Sequence, residues 1–295
     1  MKKWLAVILA ALTLAPLLAF AQEPLPQRVY DYNKRVVRKY DSDSLKYTVE
    51  TMKLYGVKCY LVKVWVRDPA RQIRKVTAEW KTNIMRPVHM AQKLPELALA
   101  INGSGYVSPT YPWIPENYPG TNSDYYYTPL GSLTITDGEI FRNLEGVPYY
   151  GLTLEEDGLQ MYTGADNADV LARNPSQTWS FYVECPMQRN GEILTPDPED
   201  WDFAGKRARR TVLGRMDRNN YLILSVTNEG GFGLTLPQVN TFFKNHFPVE
   251  WLYNLDGGPS SALLCRGKGK NHFATVAGGE ARDADILGFT ELPEE

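Results

Sequence analysis

Residues 252–264, LYNLDGGPSSALL, carry an amide and a carboxylate just before a break in an apolar run. In a strand, residues two apart lie on one face, so Asn254 and Asp256 would both emerge at the end of an otherwise buried strand. Gly257 and Gly258 then allow the backbone to turn without a Cβ clash. Spacing alone leaves two interpretations open: a carboxylate held beside a small oxygen-rich ligand, or a hairpin turn with a solvated aspartate.

Two other segments place polar side chains at strand ends. Asn102 follows the short apolar strand of residues 97–101, where it either forms a second site or simply tolerates a left-handed turn. Five basic residues lie between positions 206 and 215, and Arg210 is next to the strand that follows. An inward guanidinium requires an anion, and phosphate matches its forked geometry; a solvated basic face is the alternative.

Alternation of apolar and polar residues with a period of two dominates the chain and predicts mainly strands. The clearest strand is Val57–Val66. Hairpins are expected at 131–141, 150–162 and 211–226. Two helices are predicted, one over 88–94 and one that Thr235 and Gln238 begin with a capping box. The expected fold is α+β: a large mixed, mostly antiparallel sheet with a few packed helices in a single catalytic domain.

The N-terminal residues combine a positive start, an apolar core and small residues before Ala21. This pattern is typical of a secretory signal peptide over 1–21; a membrane anchor is the alternative, although the apolar core is short for a span. We therefore expect a periplasmic or secreted protein without a stable membrane span. An N-terminal arm is expected over 22–44, and one domain over 45–295.

Composition excludes several classes of function. The formal net charge is −2, and removal of Lys2 and Lys3 with the signal peptide gives −4, whereas nucleic-acid binding requires a basic surface. Three widely spaced cysteines allow at most one disulfide and no CxxC motif, and the three histidines are isolated. No metal ion or other cofactor is expected, because no ligand spacing such as HExxH occurs.

Four motifs, in this order, resemble those of the phosphodiester glycosidase family. They are AINGSGY at 100–106, RRTVLG at 209–214, GLTLPQV at 233–239 and NLDGGPSSALL at 254–264. The resemblance covers roughly residues 95–290, and Arg282 corresponds to a late arginine of the family pattern. Two positions depart from it: Pro259 replaces the usual third glycine and removes one N–H donor, and Asn228 lies where an aspartate is frequent.

The resemblance implies a hydrolase that cleaves a sugar from a sugar-1-phosphodiester, such as an N-acetylglucosamine-1-phosphodiester. Arg210 and Arg282 would grip the phosphate, and Asp256 would act at the anomeric carbon. A phosphate monoester leaves without protonation, so a second carboxyl group is not required. The expected catalytic residues are Asp256, Asn102 and Arg210. The expected substrate- and phosphate-binding residues are Asn254, Gly257, Gly258, Ser260, Ser261, Thr211 and Arg282.

Two alternatives use the same fold without catalysis. One is a glycan or phosphosugar-binding protein, which Pro259 and Asn228 favour. The other is an assembly factor for surface polysaccharide. The partner in each case is a glycosyl phosphodiester or a phosphorylated glycan, and product formation from a synthetic sugar-1-phosphodiester separates the enzyme from the binding protein.

Overall fold

The computed structural model describes residues 30–108, 123–181, 185–268 and 272–293. The expected signal peptide lies outside these residues. Among the described residues, no helix has the length and apolar character that a membrane span requires. No disulfide joins the three cysteines, which are all buried.

Strands make up most of the regular structure, as the period-two pattern predicts. The strands are β1 Tyr30–Asp41, β2 Leu45–Leu54, β3 Val57–Val66, β4 Ile73–Thr77, β5 Leu97–Asn102, β6 Leu133–Thr136, β7 Glu139–Asn143, β8 Tyr149–Glu155, β9 Gly158–Ala165, β10 Gln177–Trp179, β11 Pro186–Arg189, β12 Glu192–Ile193, β13 Arg210–Arg215, β14 Asn220–Val226, β15 Trp251–Asn254, β16 Ala262–Arg266, β17 Phe273–Gly278 and β18 Asp285–Thr290. The helices are α1 Pro69–Gln72, α2 Pro87–Ala91, α3 Asn167–Leu171, α4 Asp202–Gly205 and α5 Leu236–His246.

The strands form four sheets, and every strand pair in the described residues is antiparallel. The largest sheet has eight strands in the order β1-β2-β3-β14-β13-β15-β11-β12, and the second has five in the order β17-β16-β5-β18-β4. A three-stranded sheet, β10-β8-β9, and the hairpin β6-β7 complete the set. The predicted α+β class is confirmed, with several antiparallel sheets in one domain.

The main core lies between the two largest sheets and includes the three-stranded sheet. It contains Val62 and Tyr253 from the eight-stranded sheet, Ile101 and Leu287 from the five-stranded sheet, and Trp179 from β10. Helix α5 covers the outer face of the eight-stranded sheet, and α2 packs on the outer face of the five-stranded sheet. The two sheets therefore form a sandwich whose strand ends meet at its edges.

Local elements follow the sequence predictions closely. Strand β3 has the predicted bounds, and the three predicted hairpins form as β6-β7, β8-β9 and β13-β14. Thr235 and Gln238 form both bonds of the capping box at the start of α5. Within the arm expected over 22–44, residues of β1 pair with β2 at the edge of the eight-stranded sheet.

Candidate active site

The candidate site lies where strand ends from the two largest sheets meet. β13 and β15 run antiparallel with Val212 opposite Asn254, so the beginning of β13 lies beside the end of β15. β5 ends at Asn102 and pairs with β16 in the five-stranded sheet. Residues 255–261 connect β15 to β16 and therefore cross from one sheet to the other.

Asn102 ties this crossing segment to both sheets. Its Nδ2 donates to the Asp256 carbonyl oxygen at 2.7 Å. Its Oδ1 accepts bonds from the Thr211 hydroxyl at 2.7 Å and from the Ala262 N–H at 2.9 Å. The side chain is fully buried. Because these bonds all go to the protein, Asn102 orients Asp256 and the beginning of β13.

The turn after Asp256 fixes its carboxyl group. The Gly257 N–H donates to Asp256 Oδ1 at 2.7 Å, and Gly258 has a φ of +57°, a left-handed conformation that favours glycine. Gly258–Ser260 form a short 3-10 helix with Pro259 in its first turn. The first N–H groups of a helix have no partner within it, so Pro259 removes no bond from this turn.

A cavity of about 310 Å³ lies beside this turn. Its lining residues are Tyr106, Phe181, Phe203, Ala208, Arg210, Asp256, Gly257, Gly258, Pro259 and Ser260. Five of the ten predicted site residues are among them. The three aromatic side chains were not predicted: Phe181 and Phe203 come from segments outside the four motifs, and Tyr106 ends the first motif without being a polar residue at a strand end.

Arg210 is a buried cation in the wall of this cavity. Its Nη2 donates to the carbonyl oxygens of Phe203 and Lys206 at 3.1 and 2.8 Å, and its Nε donates to that of Leu234 at 3.4 Å. Its guanidinium carbon lies 4.3 Å from the centre of the Phe203 ring. No carboxylate of the described residues forms an ion pair with Arg210. Burial lowers its pKa to about 10, so it stays charged at neutral pH and favours an anionic ligand.

Asp256 is the ionisable acid of the cavity wall. Burial raises its pKa to about 7, and the charge of Asp285 acts in the same direction. The Ser260 side chain and the Gly257 N–H oppose this effect. The carboxyl group therefore changes charge near neutral pH, which suits a group that takes part in acid, base or electrostatic catalysis.

Three other predicted residues lie behind the cavity wall. Thr211 bonds to Asn102, and Asn254 Nδ2 lies 3.7 Å from Cys185 Sγ. Asn254 Oδ1 and Ser261 Oγ are buried without a hydrogen-bond partner among the described residues. These side chains support the strand ends rather than face the cavity.

The segment before β18 differs most from the sequence interpretation. Arg282 is exposed, and its Nη1 donates to Asn83 Oδ1 at 3.5 Å. Asp283, which was not predicted, is buried, and the buried Asp285 accepts bonds from the Ser104 N–H and hydroxyl at 2.7 and 3.0 Å. Asp283 and Asp285 are two residues apart at the beginning of an apolar strand, a spacing that places both side chains on the same face. This spacing is the signal by which the sequence could have identified them. Among the described residues, no cluster of three His, Cys, Asp or Glu side chains is placed to hold a metal ion.

Comparison with known proteins places the chain in a family. A model of the phosphodiester glycosidase family matches residues 96–290. The chain therefore belongs to the phosphodiester glycosidase family, as its four motifs indicated. No curated protein matches the chain significantly in sequence.

Two solved structures share the fold. The first is the catalytic domain of zebrafish N-acetylglucosamine-1-phosphodiester alpha-N-acetylglucosaminidase, auto-inhibited by pro-peptide, with a TM-score of 0.63, 18% identity and 88% of each chain covered. The second is a hypothetical protein from Synechocystis, with a TM-score of 0.54 and 13% identity over 85% of this chain and 63% of that chain. At these identities the comparisons establish the fold.

Proposed function

We propose that the protein is an exported hydrolase that cleaves the anomeric bond of a sugar-1-phosphodiester and releases the sugar and a phosphate monoester. One observation carries this proposal: the buried guanidinium of Arg210 and the carboxyl group of Asp256 line the same cavity. The cation suits the single charge of a phosphodiester, and the carboxyl group suits an anomeric carbon. Membership in the phosphodiester glycosidase family supports the same reaction class.

In the proposed reaction Arg210 binds a phosphate oxygen and orients the diester. The ionised carboxyl group of Asp256 faces the anomeric carbon and stabilises the positive charge that develops there as the bond to the phosphate oxygen breaks. Water supplies the oxygen and the hydrogen of the new sugar hydroxyl, and its other proton passes to the solvent. The phosphate monoester leaves without a proton, so no second acid has to protonate it.

The shape of the cavity supports a substrate with one sugar ring. Its volume of about 310 Å³ is at the lower end of the range for ligand pockets. Phe181 and Phe203, with ring centres 5.8 Å apart, offer an apolar wall for one face of the sugar. Our first candidate is an N-acetylglucosamine-1-phosphodiester, because the zebrafish domain of similar fold carries that substrate in its name.

Incubation of the mature chain with a synthetic N-acetylglucosamine-1-phosphodiester tests the proposal. Asp256→Asn should lower kcat by about 100-fold or more. Arg210→Lys should raise KM about tenfold, because an ammonium group lacks the forked geometry of the guanidinium. Arg209→Lys is the matched control: Arg209 is the neighbouring cation, it pairs with Glu280 at 2.8 Å, and it does not line the cavity.

The control should leave kcat and KM within about twofold of the wild type, since exposed ion pairs contribute little. A folded Asp256→Asn variant with near-normal turnover would remove Asp256 from the reaction. Binding of the diester without product would favour the non-catalytic phosphosugar-binding protein.

Export is the second part of the proposal. It is supported by the signal-like sequence of residues 1–21, with its positive start and apolar core. N-terminal sequencing of the protein recovered outside the cytoplasm should begin at Gln22. A mature protein that retains the apolar segment would contradict cleavage after Ala21.

A further inference from the structure

Asp283 is a buried carboxyl group that no cation pairs with among the described residues. It is 1% exposed, and neither side-chain oxygen has a hydrogen-bond partner among the described residues. Its backbone position is well defined, because its N–H donates to the Met85 carbonyl oxygen at 2.9 Å and its own carbonyl oxygen accepts from the Met85 N–H at 3.0 Å. An ionised carboxylate in such a place is strongly unfavourable unless it is paired or neutralised.

Backbone contacts connect the segment that carries Asp283 to the turn that carries Asp256. The Gly103 carbonyl oxygen accepts from the Asp256 N–H at 3.2 Å, and the Gly103 N–H donates to the Asp285 carbonyl oxygen at 3.1 Å. A Cβ on Gly103 would overlap Asp285 Oδ1, so this close approach requires glycine. Asp283 lies two residues before Asp285, and the Ser260 side chain in the cavity wall lowers the pKa of both Asp256 and Asp283.

The two charges that act most strongly on the pKa of Asp283 are both negative. Burial raises the pKa of Asp283 well above its ordinary value, and the charges of Asp256 and Asp285 raise it further. The buried cation of this region, Lys75, has its Nζ 3.7 Å from Asp285 Oδ2 and forms no ion pair with Asp283. Carboxyl groups coupled in this way do not all ionise together, so the cluster keeps a proton at neutral pH.

We propose that Asp283 is a positioning residue that retains a proton beside Asp256, so that the cavity meets its anionic substrate with one ionised carboxyl group rather than two. This proposal rests on the proposed function, because it requires a phosphodiester bound at Arg210. A second ionised carboxylate would repel the diester and weaken the attraction of Arg210. Asp283 does not line the cavity and acts through Asp256.

The first test is the pH dependence of thermal stability in Asp283→Asn, which keeps the size of the side chain and abolishes its titration. An acid whose pKa is raised by folding loses stability as pH rises, because the unfolded chain ionises while the folded protein stays protonated. Between pH 4 and pH 8 the Tm of Asp283→Asn should therefore rise relative to the wild type, by about 5 °C.

Asp217→Asn is a control that should change the stability in the opposite direction. Although burial opposes the effect, hydrogen bonds from Asn220 and Asn219 hold the pKa of Asp217 below its ordinary value. A depressed pKa adds stability that is fully present above the unfolded pKa and is lost as pH falls through the folded pKa. This variant should therefore be less stable than the wild type by an amount that stays constant from about pH 5 to about pH 8 and shrinks only in more acidic solution. The two variants together separate protonation of Asp283 from a general effect of replacing aspartate.

The second test is kcat/KM for the N-acetylglucosamine-1-phosphodiester as a function of pH. In the wild type kcat/KM should rise as Asp256 ionises near pH 7 and fall at higher pH as Asp283 ionises. In Asp283→Asn the fall in kcat/KM at alkaline pH should shift to higher pH by about one unit or more, to the range where Arg210 loses its proton. A merely structural role of Asp283 would change the size of kcat/KM without moving the fall.

Three results would overturn the proposal. The first is a Tm difference between wild type and Asp283→Asn that does not vary with pH. The second is a Tm that Ca²⁺ raises in the wild type and not in the variant, since Asp283 would then be an ionised cation ligand. The third is a fall in kcat/KM that occurs at the same alkaline pH in the wild type and in Asp283→Asn. The thermal test needs no substrate, so it remains decisive for Asp283 if no sugar phosphodiester is cleaved.

Discussion

At the scale of single residues, the buried polar side chains of the site divide into those that hold the protein together and those that face the cavity. Asn102 makes one donor and two acceptor bonds to three different segments. Arg210 is held by carbonyl oxygens and has no carboxylate partner among the described residues. The first arrangement satisfies the side chain within the protein, whereas the second leaves a charge for a ligand to neutralise.

Asn102→Asp tests the positioning role of the amide. The change keeps both the size and the oxygen that Thr211 and Ala262 bond to, but it removes the donor to the Asp256 carbonyl oxygen and buries a carboxyl group. We expect a loss of about 2–4 kcal/mol in the free energy of unfolding, measured by urea denaturation. Asn228→Asp, on an exposed residue, is the control and should change stability by less than about 0.5 kcal/mol.

Equal stability of the two variants would mean that Asn102 does not fix the crossing segment. The Asn102→Asp variant also tests the arrangement of the site, because the backbone position of Asp256 depends on Asn102. If Asn102→Asp remains folded, its kcat for the sugar phosphodiester should also fall.

At the scale of elements, helix α5 shows how much local sequence decides. Thr235 Oγ1 accepts from the Gln238 N–H at 3.3 Å, and Gln238 Oε1 accepts from the Thr235 N–H at 3.1 Å. Val239, Phe242 and Phe243 are buried on the face that covers the eight-stranded sheet. The same helix begins just after Leu234, whose carbonyl oxygen accepts from Arg210, so the element also supports the cavity wall.

Thr235→Ala should lower the free energy of unfolding by about 1 kcal/mol, because the first turn of α5 loses its side-chain acceptor. Thr235→Ser is the matched control and should retain most of that stability, since its hydroxyl forms the same bond. Chemical denaturation of both variants gives the comparison. If the alanine and serine variants unfold at the same denaturant concentration, the capping box does not stabilise this helix.

At the scale of the whole molecule, a buried lysine joins three sheets. Lys75 lies on β4, its Nζ donates to the Ile135 carbonyl oxygen of β6 at 3.2 Å, and it lies 5.4 Å from the ring centre of Trp179 on β10. Its ammonium group is 3.7 Å from Asp285 Oδ2. Burial lowers the pKa of Lys75 to about 8, while the charge of Asp285 opposes this effect.

Lys75→Met should cost about 3–5 kcal/mol at pH 7, because it leaves Asp285 buried without its cation. The double variant Lys75→Met/Asp285→Asn should recover most of that loss, since it removes both charges. Urea unfolding of the wild type, both single variants and the double variant forms a complete cycle. Additive losses in the double variant would show that the pair is not coupled.

The sequence by itself determined the elements whose contacts are short in range. Alternating apolar residues place β3, and the Asp137-Gly138 turn joins β6 to β7, because a hairpin needs only neighbouring residues and a left-handed turn. Four ordered motifs were enough to indicate the family. The motifs also identified Arg210 and Asp256 as candidate site residues, because polar residues at the ends of apolar strands can be recognised in the sequence.

Only the tertiary structure decided which strand ends share a cavity and which charges meet there. Phe181 and Phe203 come to Arg210 from separate segments, and Asp283 rather than Arg282 is buried on the approach to β18. These placements depend on pairing between residues far apart in the chain. Burial and the charges of distant neighbours set the protonation of the carboxyl groups, and neither exists until the two sheets pack together.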